Sequence, residues 1–508
     1  MTDAQPRESS GLLSSGGSSL AGTSRQESRF FGLPLSQWRA VALGAAIMLM
    51  AGYDEGMIDA AMLTLRTELK LSEVEEEVAI GILNLAAAVG GLVLGPMADS
   101  HGRKYAIMLA LVLYLLGAGI ITFAVHVWFI MAGRVVMGFG VGTALVAGPM
   151  FVAEIVPADQ RGSIVASVDL STDFGVVAGY AVGYVFVDQM HGWRWMFAVA
   201  AIPLVLVLVA IGALLPESPR WLVAQGRSAA ARDALRDLGL DAVEAERMLE
   251  VMRTSMLRAV GGQAGPSEAG WAEVVWPRDR MVRQMLLVGV GVAFFSQATG
   301  TDATIYYTPE VLQESGVSNP REDLLYSMGV GLAQVFFLLV GMACFDNLGR
   351  RPMLLLGCVG LAAAFVVEGV SVLVRSSSLA ISGLLGVVAA YNISFSPLTF
   401  VVCTEVFTAR IRAKALALAL FTARLMSGLL SLSFISLQET ITPAGLWFAF
   451  AGLSLLALAF VYVYVPETRA LQLEEVEDTF RERARRLDER ARLLMKGLSL
   501  AKAKGGAS

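Results

Sequence analysis

The feature that most constrains this chain is a series of about twelve apolar stretches, each near 20 residues long. A bilayer core about 30 Å thick is crossed by about 20 residues of helix. Because a spanning segment must satisfy its own backbone polar groups, runs of this length predict helices rather than barrel strands. The sequence therefore predicts an all-α membrane protein with twelve transmembrane helices in two six-helix bundles. The stretches lie at 38–60, 77–98, 104–125, 127–151, 164–187 and 195–215, then at 283–308, 324–345, 353–374, 379–403, 414–437 and 445–465.

The composition agrees with a membrane protein and argues against other classes. Charged residues make up 16% of the chain and hydrophobic residues 56%, whereas a soluble domain carries about a quarter charged residues. A net charge of −5 provides no basic field for nucleic acid. The three cysteines lie in apolar stretches without metal-binding spacing. We therefore expect a lipid bilayer around the protein, and no nucleic acid, metal or cofactor.

Polar segments divide the chain. The first 36 residues are rich in Ser and Gly and contain no apolar core long enough for a signal peptide, which is typical of a disordered cytosolic tail. Between the two sets of apolar stretches, a polar segment has a helical pattern and then a Gly/Pro break, as expected of linker helices. The predicted divisions are a tail over 1–36, a bundle over 37–215, linker helices over 216–280, a second bundle over 281–465 and a C-terminal tail over 466–508.

Basic residues in the short loops predict the orientation. Cytosolic loops carry an excess of Lys and Arg. The richer side, which also holds both termini, is expected in the cytosol. We expect the protein in the plasma membrane. No recognisable address signal distinguishes this location from an internal membrane. The richer side carries Arg103, Lys104, Arg161, Arg350, Arg351, Arg410, Arg412 and Lys414, and the other side Arg66, Lys70, Arg194, Arg321 and Arg375.

Three local patterns occur twice at a nearly constant spacing. The spacings are 247, 251 and 250 residues, which indicates two duplicated halves, as in many secondary transporters. The matching segments are Asp99 to Lys104 with Asp346 to Arg351, Glu154 and Arg161 with Glu405 and Arg412, and Pro216-Glu-Ser with Pro466-Glu-Thr.

The repeated acids and arginines lie at helix ends on the predicted cytosolic side. Arg can pair bidentately with carboxylates, so these residues can hold helix ends and the two bundles together as a gate. The alternative is that the basic residues only set the topology; acids recurring in register with the arginines favour a gate. The predicted network comprises Asp99, Arg103, Glu154, Arg161, Glu217, Arg220, Asp346, Arg350, Arg351, Glu405, Arg412 and Glu467.

A further set of motifs carries a family resemblance. In order along the chain they are Gly52-Tyr-Asp54, Gly95 to Lys104, Gly133-Arg134, Glu154 with Arg161, Pro216 to Arg220, Asp346 to Arg351, Glu405 to Arg412 and Pro466 to Arg469. With these motifs, the sequence resembles the sugar porter branch of the major facilitator superfamily over residues 40 to 475. Segments Gly81 to Leu85, Gly192 to Arg194 and Arg424 to Met426 are most similar to plant polyol/monosaccharide proton symporters. The resemblance implies a functional monomer whose bundles rock about a central site and move a small polyol or sugar with protons.

The resemblance also implies a substrate site near the bilayer midplane. Ser296 stands where the family has a glutamine, Asp302 where asparagine is common, and Phe400 where tryptophan is usual. A site with two carboxylates and an arginine favours a linear polyol, a cyclitol or a broad substrate range. Gly300 within a polar run predicts a broken helix lining a cavity. The implied contacts are Asp169, Ser296, Gln297, Asp302, Tyr306, Gln334, Phe400 and Arg424.

Asp54 and Arg134 match the acid–arginine pair of proton-coupled sugar porters. An ionised residue in mid-membrane costs about 2.5 kcal/mol or more, so intramembrane acids are functional candidates. Protonation of Asp54 would release Arg134 and change the relative stability of two bundle arrangements. Four other acids have no assigned role: Glu55, Asp59, Asp173 and Glu368.

Two other functions stay open. One is a facilitative carrier without proton coupling. The other is a non-transporting nutrient sensor, which the short C-terminal segment disfavours because sensors of this family carry long tails. We do not expect an enzyme, since the sequence has no P-loop or metal cluster and its three histidines lie in predicted loops.

Overall fold

The computed structural model describes residues 29–30, 33–156, 161–261, 270–314, 319–408, 410–469, 475–482 and 485. The predicted tails therefore lie mostly outside the described residues. A short antiparallel pair, β1 (Arg29–Phe30) and β2 (Leu33–Pro34), precedes the first helix. All the other regular elements described are helices.

The helices fall into two sets joined by short linker helices. The first half holds α1 (Leu35–Leu69), α2 (Glu73–Leu94), α3 (Met97–His101), α4 (Arg103–Thr122), α5 (Val127–Ile155), α6 (Arg161–Phe186) and α7 (Gly192–Leu214). The linker holds α8 (Pro219–Ala224), α9 (Ser228–Asp237), α10 (Ala242–Gly261) and α11 (Trp271–Val275). The second half holds α12 (Arg280–Ala298), α13 (Thr301–Tyr306), α14 (Thr308–Glu314), α15 (Pro320–Leu348), α16 (Arg350–Val374), α17 (Ser377–Ile393), α18 (Phe395–Val406), α19 (Arg412–Ser431), α20 (Phe434–Ile441) and α21 (Pro443–Tyr464).

Eleven helical segments in the described part of the chain are long and apolar enough to cross a membrane. Two of them, Arg280–Tyr306 and Ser377–Val406, are each built from two consecutive helices. The twelfth span is α6, whose 26 residues extend about 39 Å at 1.5 Å per residue. The fold thus has twelve spanning helices, as the apolar stretches predicted.

The predicted break in the seventh span is present. Helix α12 ends at Ala298, and α13 begins at Thr301. Gly300 between them has a φ of +84°, a left-handed conformation that glycine adopts readily. A β-carbon there would also lie 2.5 Å from the Phe450 ring, so the break needs glycine for two reasons.

Within the first half, α1 packs along α6 at close range. A β-carbon on Gly52 would lie 1.9 Å from the Thr172 carbonyl oxygen, and one on Gly175 would lie 2.0 Å from the Leu49 carbonyl oxygen. Small residues at membrane helix contacts allow this approach. The first half is therefore tightly fixed around α1, the helix that carries Asp54.

The two halves meet mainly through two helix pairs, α2 with α19 and α6 with α15. The linker helices α8 to α10 pack around their own small apolar cluster, which includes Trp221, Leu235 and Leu249. We call the membrane face that bears them the linker face and the opposite one the far face. Helix α1 begins at the linker face, because Gln37 Nε2 donates to the Ile155 carbonyl at the end of α5 (3.3 Å).

Candidate functional site

A cavity of about 900 Å³, including the open space at its mouth, lies between the two halves. Its walls come from α1, α5 and α6 of the first half and from α12, α13, α15 and α17 to α19 of the second. The cavity brings together seven of the eight predicted substrate contacts: Asp169, Ser296, Gln297, Asp302, Gln334, Phe400 and Arg424.

The cavity extends towards the linker face. Met48 lies in the part of α1 before Asp54, and Leu145 lies in the second part of α5. Phe400 and Leu420 line it from the parts of α18 and α19 that are nearest the same face. A molecule can therefore enter this arrangement from the linker face.

The far face is closed by contacts between the halves. Asn84 Nδ2 on α2 donates to the Tyr306 hydroxyl on α13 (3.2 Å). Glu77 accepts bonds from the backbone N–H and the hydroxyl of Ser436, at 2.8 and 2.6 Å. Arg321 forms an ion pair with Asp188. Tyr306, the eighth predicted substrate contact, thus takes part in this closure and does not line the cavity.

The floor of the cavity is a polar cluster around Asp302. Ser427 Oγ donates to Asp302 Oδ2 (3.0 Å), and Arg424 Nη1 lies 3.8 Å from the same oxygen. With its amide nitrogen facing the carboxylate, Gln297 donates to Asp302 Oδ2 (2.6 Å) and accepts from the Tyr391 hydroxyl (3.2 Å). This orientation is preferred because a carboxylate can only accept. Arg424 also donates to Asn84 Oδ1 in the other half (3.4 Å).

Four carboxyl groups face this cavity, and Arg424 is the basic residue on its wall. Besides Asp169 and Asp302, they are Glu55 and Asp173, to which we assigned no role from the sequence. Three polar atoms on the wall are buried without a hydrogen-bond partner in the described structure: Thr172 Oγ1, Asp173 Oδ2 and Gln334 Oε1. Buried polar groups are normally paired, so these atoms are available to bond a polar molecule that enters the cavity.

Several wall residues were not predicted from the sequence, notably Tyr391 and Asn392 in the tenth span. The available signal was local: a Tyr-Asn-Ile-Ser run (391–394) just before Pro397 interrupts an apolar stretch. Helix α17 does end there, at Ile393. Glu368, by contrast, is buried against Gly383 within the second half and does not reach the cavity.

The Asp54–Arg134 pair lies beside the cavity and inside the first half. Arg134 Nη1 contacts both Asp54 carboxylate oxygens, at 3.0 and 3.1 Å, and Nη2 donates to the Ile80 carbonyl (3.1 Å). Arg134 is 0% exposed and Asp54 is 1% exposed. Breaking such a pair by removing one partner typically costs about 3–5 kcal/mol, because the other charge stays buried and unpaired.

On the linker face of the first half, a charge cluster clamps helix ends. The Arg103 guanidinium bonds to Glu154 at 3.0 Å and forms an ion pair with Asp99 (3.0 Å). Glu217 accepts the backbone N–H groups of Arg103 and Lys104, at 2.9 and 3.1 Å. The cluster therefore joins the start of α4 to the end of α5 and the segment after α7.

The second half repeats this cluster in matching detail. Arg350 bonds to Glu405 (3.0 Å), and Glu467 accepts the backbone N–H groups of Arg350 and Arg351, at 3.0 and 3.1 Å. Gly102 and Gly349 precede the two arginines with φ of +107° and +94°. A β-carbon at either glycine would contact the glutamate that caps the helix, Glu217 or Glu467.

These ion pairs join helices of the same half, whereas we expected them to hold the two bundles together. Arg412 donates to the nearby Phe407 carbonyl (3.1 Å), and Arg220 is exposed. The side chains of Arg161 and Asp346 lie outside the described part of the structure.

Comparisons with known proteins agree on one family. The profile of the family described as "Sugar (and other) transporter" matches residues 40–480. The chain is 34% identical over 460 residues to putative polyol transporter 1 of Arabidopsis thaliana, covering 86% of this chain and 90% of the relative. It is 30% identical to the glucose transporter GlcP of Staphylococcus epidermidis, covering 87% and 96%.

A solved structure has the same fold. The proton:xylose symporter XylE, bound to 6-bromo-6-deoxy-D-glucose, superposes with a TM-score of 0.72 at 24% identity. The superposition covers 88% of this chain and 99% of XylE.

Proposed function

Because the chain belongs to the sugar (and other) transporter family, we propose that it carries a polyol or monosaccharide across a membrane together with protons. The protein is a multi-pass integral membrane transporter of the major facilitator superfamily and not an enzyme.

Alternating access is supported by the cavity, which opens at the linker face and is closed at the far face. The moving bodies would be the bundles over residues 37–215 and 281–465. In the opposite arrangement the two linker-face clusters would approach each other, and their arginines could then pair across the halves. The clusters would then form the predicted gate, but only in the arrangement that is closed at the linker face.

A polyhydroxylated substrate is supported by the chemistry of the cavity wall. Thr172, Asp173 and Gln334 offer buried polar atoms without partners, and hydroxyl groups can both donate to and accept from them. The named relatives are polyol and glucose transporters. The carboxyls make the site highly polar, which favours a linear polyol, a cyclitol or a broad range of polyhydroxylated substrates, whose hydroxyls can donate to the carboxylates.

Proton coupling is supported by Asp54 and Arg134, two buried charges that neutralise each other without facing the cavity. A proton on Asp54 would leave Arg134 without its counter-charge, which would change the stability of the first half. At about 100 mV, one proton crossing the membrane supplies about 2.3 kcal/mol. This energy is sufficient to accumulate substrate severalfold or more.

We further propose that the linker face is cytosolic, that the membrane is the plasma membrane and that the monomer is the functional unit. The basic clusters at the linker face support its cytosolic location, since loops rich in Lys and Arg stay in the cytosol. The cavity opens within one chain, between its own two halves, which supports the last.

Uptake competition in a transport-deficient yeast tests this function. Sorbitol, mannitol, inositol, xylose and glucose would be compared at several external pH values. Symport predicts that uptake rises at acidic external pH, that a protonophore abolishes accumulation and that substrate evokes an inward current in oocytes. Uptake that only equilibrates, without current, would indicate a facilitator. Binding without uptake would indicate a sensor.

A further inference from the structure

We propose that Glu73 and Glu439 form an acid-sensitive contact between the two halves, which holds the far face closed when their carboxyls share a proton. Glu73 is the first residue of α2 in the first half. Glu439 lies in α20 of the second half, outside the segments that are long and apolar enough to cross a membrane. The contact presupposes the proposed alternation of access, but it needs neither proton transport nor substrate.

The bonds between Glu77 and Ser436 determine where the two carboxyls lie. Glu77 accepts from the Ser436 backbone N–H (2.8 Å) and hydroxyl (2.6 Å), which joins α2 to α20. The two helices run in opposite directions, because α2 begins at the far face whereas α20 follows α19 towards it. Residues three or four positions apart share one side of a helix. One turn further towards the far face, Glu73 on α2 therefore meets Glu439 on α20.

The two carboxyls are in direct contact. The side chain of Glu439 forms a hydrogen bond with that of Glu73, and this bond and the Glu73 charge raise the pKa of Glu439 above its ordinary value. Two ionised carboxylates cannot bond to each other, because both can only accept. The pair therefore repels across the halves when both groups are ionised and attracts when they share one proton.

The neighbouring acids at the start of α2 have other contacts. Glu75 accepts from the backbone N–H and the hydroxyl of Ser72, at 3.0 and 2.9 Å, and His126 is the basic group near it. Glu76 forms an ion pair with Arg66 on α1 (3.4 Å). These contacts lie within the first half, so they do not change directly when the halves separate.

The charged groups that act on Glu439 are both acids, Glu73 and Glu77. Helix α20 contains no other charged residue, and α21, which packs against it, contains none. A shared proton is therefore what relieves the repulsion at this contact.

The direction of the pH effect follows from the position of the pair. The two carboxyls lie together while the far face is closed, so the closed arrangement binds a proton here more strongly than the open one. Acidification must then favour closure, and a rise in pH through the raised pKa of Glu439 must weaken it. Both side chains are exposed, so we expect the ratio of closed to open molecules to change only about threefold.

Spin-label distances across the far face test the proposal. Labels on Val125→Cys, after α4, and Val374→Cys, at the end of α16, place one exposed probe on each half at this face. Cys344, which is partly exposed, would be replaced by alanine, whereas Cys358 and Cys403 are buried. The full-length protein in lipid nanodiscs, without substrate or a pH gradient, would give the ratio of short to long distances at about pH 7.5 and about pH 5.

Glu439→Gln imitates the protonated carboxyl, because its amide can donate to the Glu73 carboxylate at any pH. At about pH 7.5 this variant should be about threefold more closed than the unaltered protein, and at about pH 5 the two should agree. Glu73→Gln places the amide on the other helix and should behave in the same way, which provides the test if the first variant does not fold.

The matched control is Glu75→Gln. It removes a negative charge from the same turn of α2 but keeps an oxygen that can accept from Ser72. This variant should match the unaltered protein at both pH values.

Equal ratios for Glu439→Gln, Glu73→Gln and the unaltered protein at about pH 7.5 would overturn the acid-sensitive contact. An increase of the same size in Glu75→Gln would also overturn it, because the effect would then belong to the total charge of the face. Either result leaves the proposed symport intact, since no proton gradient enters this measurement. Failure of symport would instead appear as uptake without proton movement.

Discussion

The Asp54–Arg134 pair and the Asp302–Arg424 pair differ in how they relate to the interface between the halves. Asp54 and Arg134 are almost completely buried, contact each other at 3.0 Å and have their described polar contacts within the first half. Asp302 and Arg424 are 3.8 Å apart, line the cavity and bond through Arg424 to Asn84 in the other half. The first pair can act on the stability of one half, whereas the second can act directly on the contact between the two.

Contacts inside a half should determine whether that half folds and responds to a proton. Contacts across the halves should determine which face is open.

Asp54→Asn should abolish accumulation of substrate against a gradient. The amide cannot take up a proton and carries no charge to neutralise the buried Arg134. Counterflow, in which labelled and unlabelled substrate exchange without net proton movement, should persist in part. The check is uptake and counterflow in the same proteoliposomes. Undiminished accumulation in this variant would show that Asp54 is not the coupling residue.

Gly349→Ala should destabilise the protein by about 1–3 kcal/mol, because alanine is strained at a φ of +94° and its methyl group would press on Glu467. Thermal unfolding in detergent measures the loss. The control is Gly329→Ala, where a methyl group in the middle of the preceding helix, α15, meets open space. Equal melting temperatures for the two variants would mean that the helix-end clamp contributes little.

Asn84→Ala should open the far face more often without unfolding the protein. It removes a bond to the charged Arg424 and one to Tyr306, and hydrogen bonds to charged groups contribute about 1.5–3 kcal/mol. A shift of about 1.4 kcal/mol changes the ratio of the two arrangements tenfold. Labelling of a cysteine introduced beside the closed far face would report this shift.

The matched control is Asn392→Ala. Asn392 is also buried at the cavity, but its amide bonds to the Val388 carbonyl one turn earlier in the same helix (3.0 Å). The Asn392→Ala variant should therefore leave far-face labelling unchanged. Equal labelling of both variants would contradict the special role of the bonds that cross the halves.

Ser436→Ala should have a smaller effect of the same kind. It removes the hydroxyl bond to Glu77 (2.6 Å) but keeps the backbone bond (2.8 Å), a change of about 1 kcal/mol. A severalfold increase in far-face labelling is expected. Ser433→Ala is the control, because its hydroxyl bonds to the Leu429 carbonyl of its own chain segment. A larger effect at Ser433 would contradict the assignment of closure to the Glu77–Ser436 contact.

Much of the architecture could be predicted because the signals are local. Apolar stretches of about 20 residues indicated the spans, and Gly300 in a polar run indicated the broken seventh helix. The repeated motifs indicated two halves. The family motifs also indicated seven residues that do line the cavity, since motif positions keep their place along a helix even when their partners are unknown.

Other features depended on how helices rotate and pack. Hydropathy does not specify which side of a span faces the cavity, so Glu55 and Asp173 had no role before the structure placed them on its wall. Tyr306 was expected to hold substrate, yet it bonds to Asn84, 222 positions away along the chain, in the closed far face. The linker-face arginines were expected to bridge the bundles and instead pair within each half.

The sequence by itself determined that the chain lies in a lipid bilayer, how many spans it has, that its halves are duplicated and which charged residues lie within the membrane. Each of these depends only on composition and spacing along the chain. Only the tertiary structure decided which charges meet and which face is closed. The reason is physical: which face is closed depends on a few contacts between the halves, such as Asn84–Arg424 and Glu77–Ser436. Contacts of this kind join residues hundreds of positions apart, so they exist only once the helices are packed.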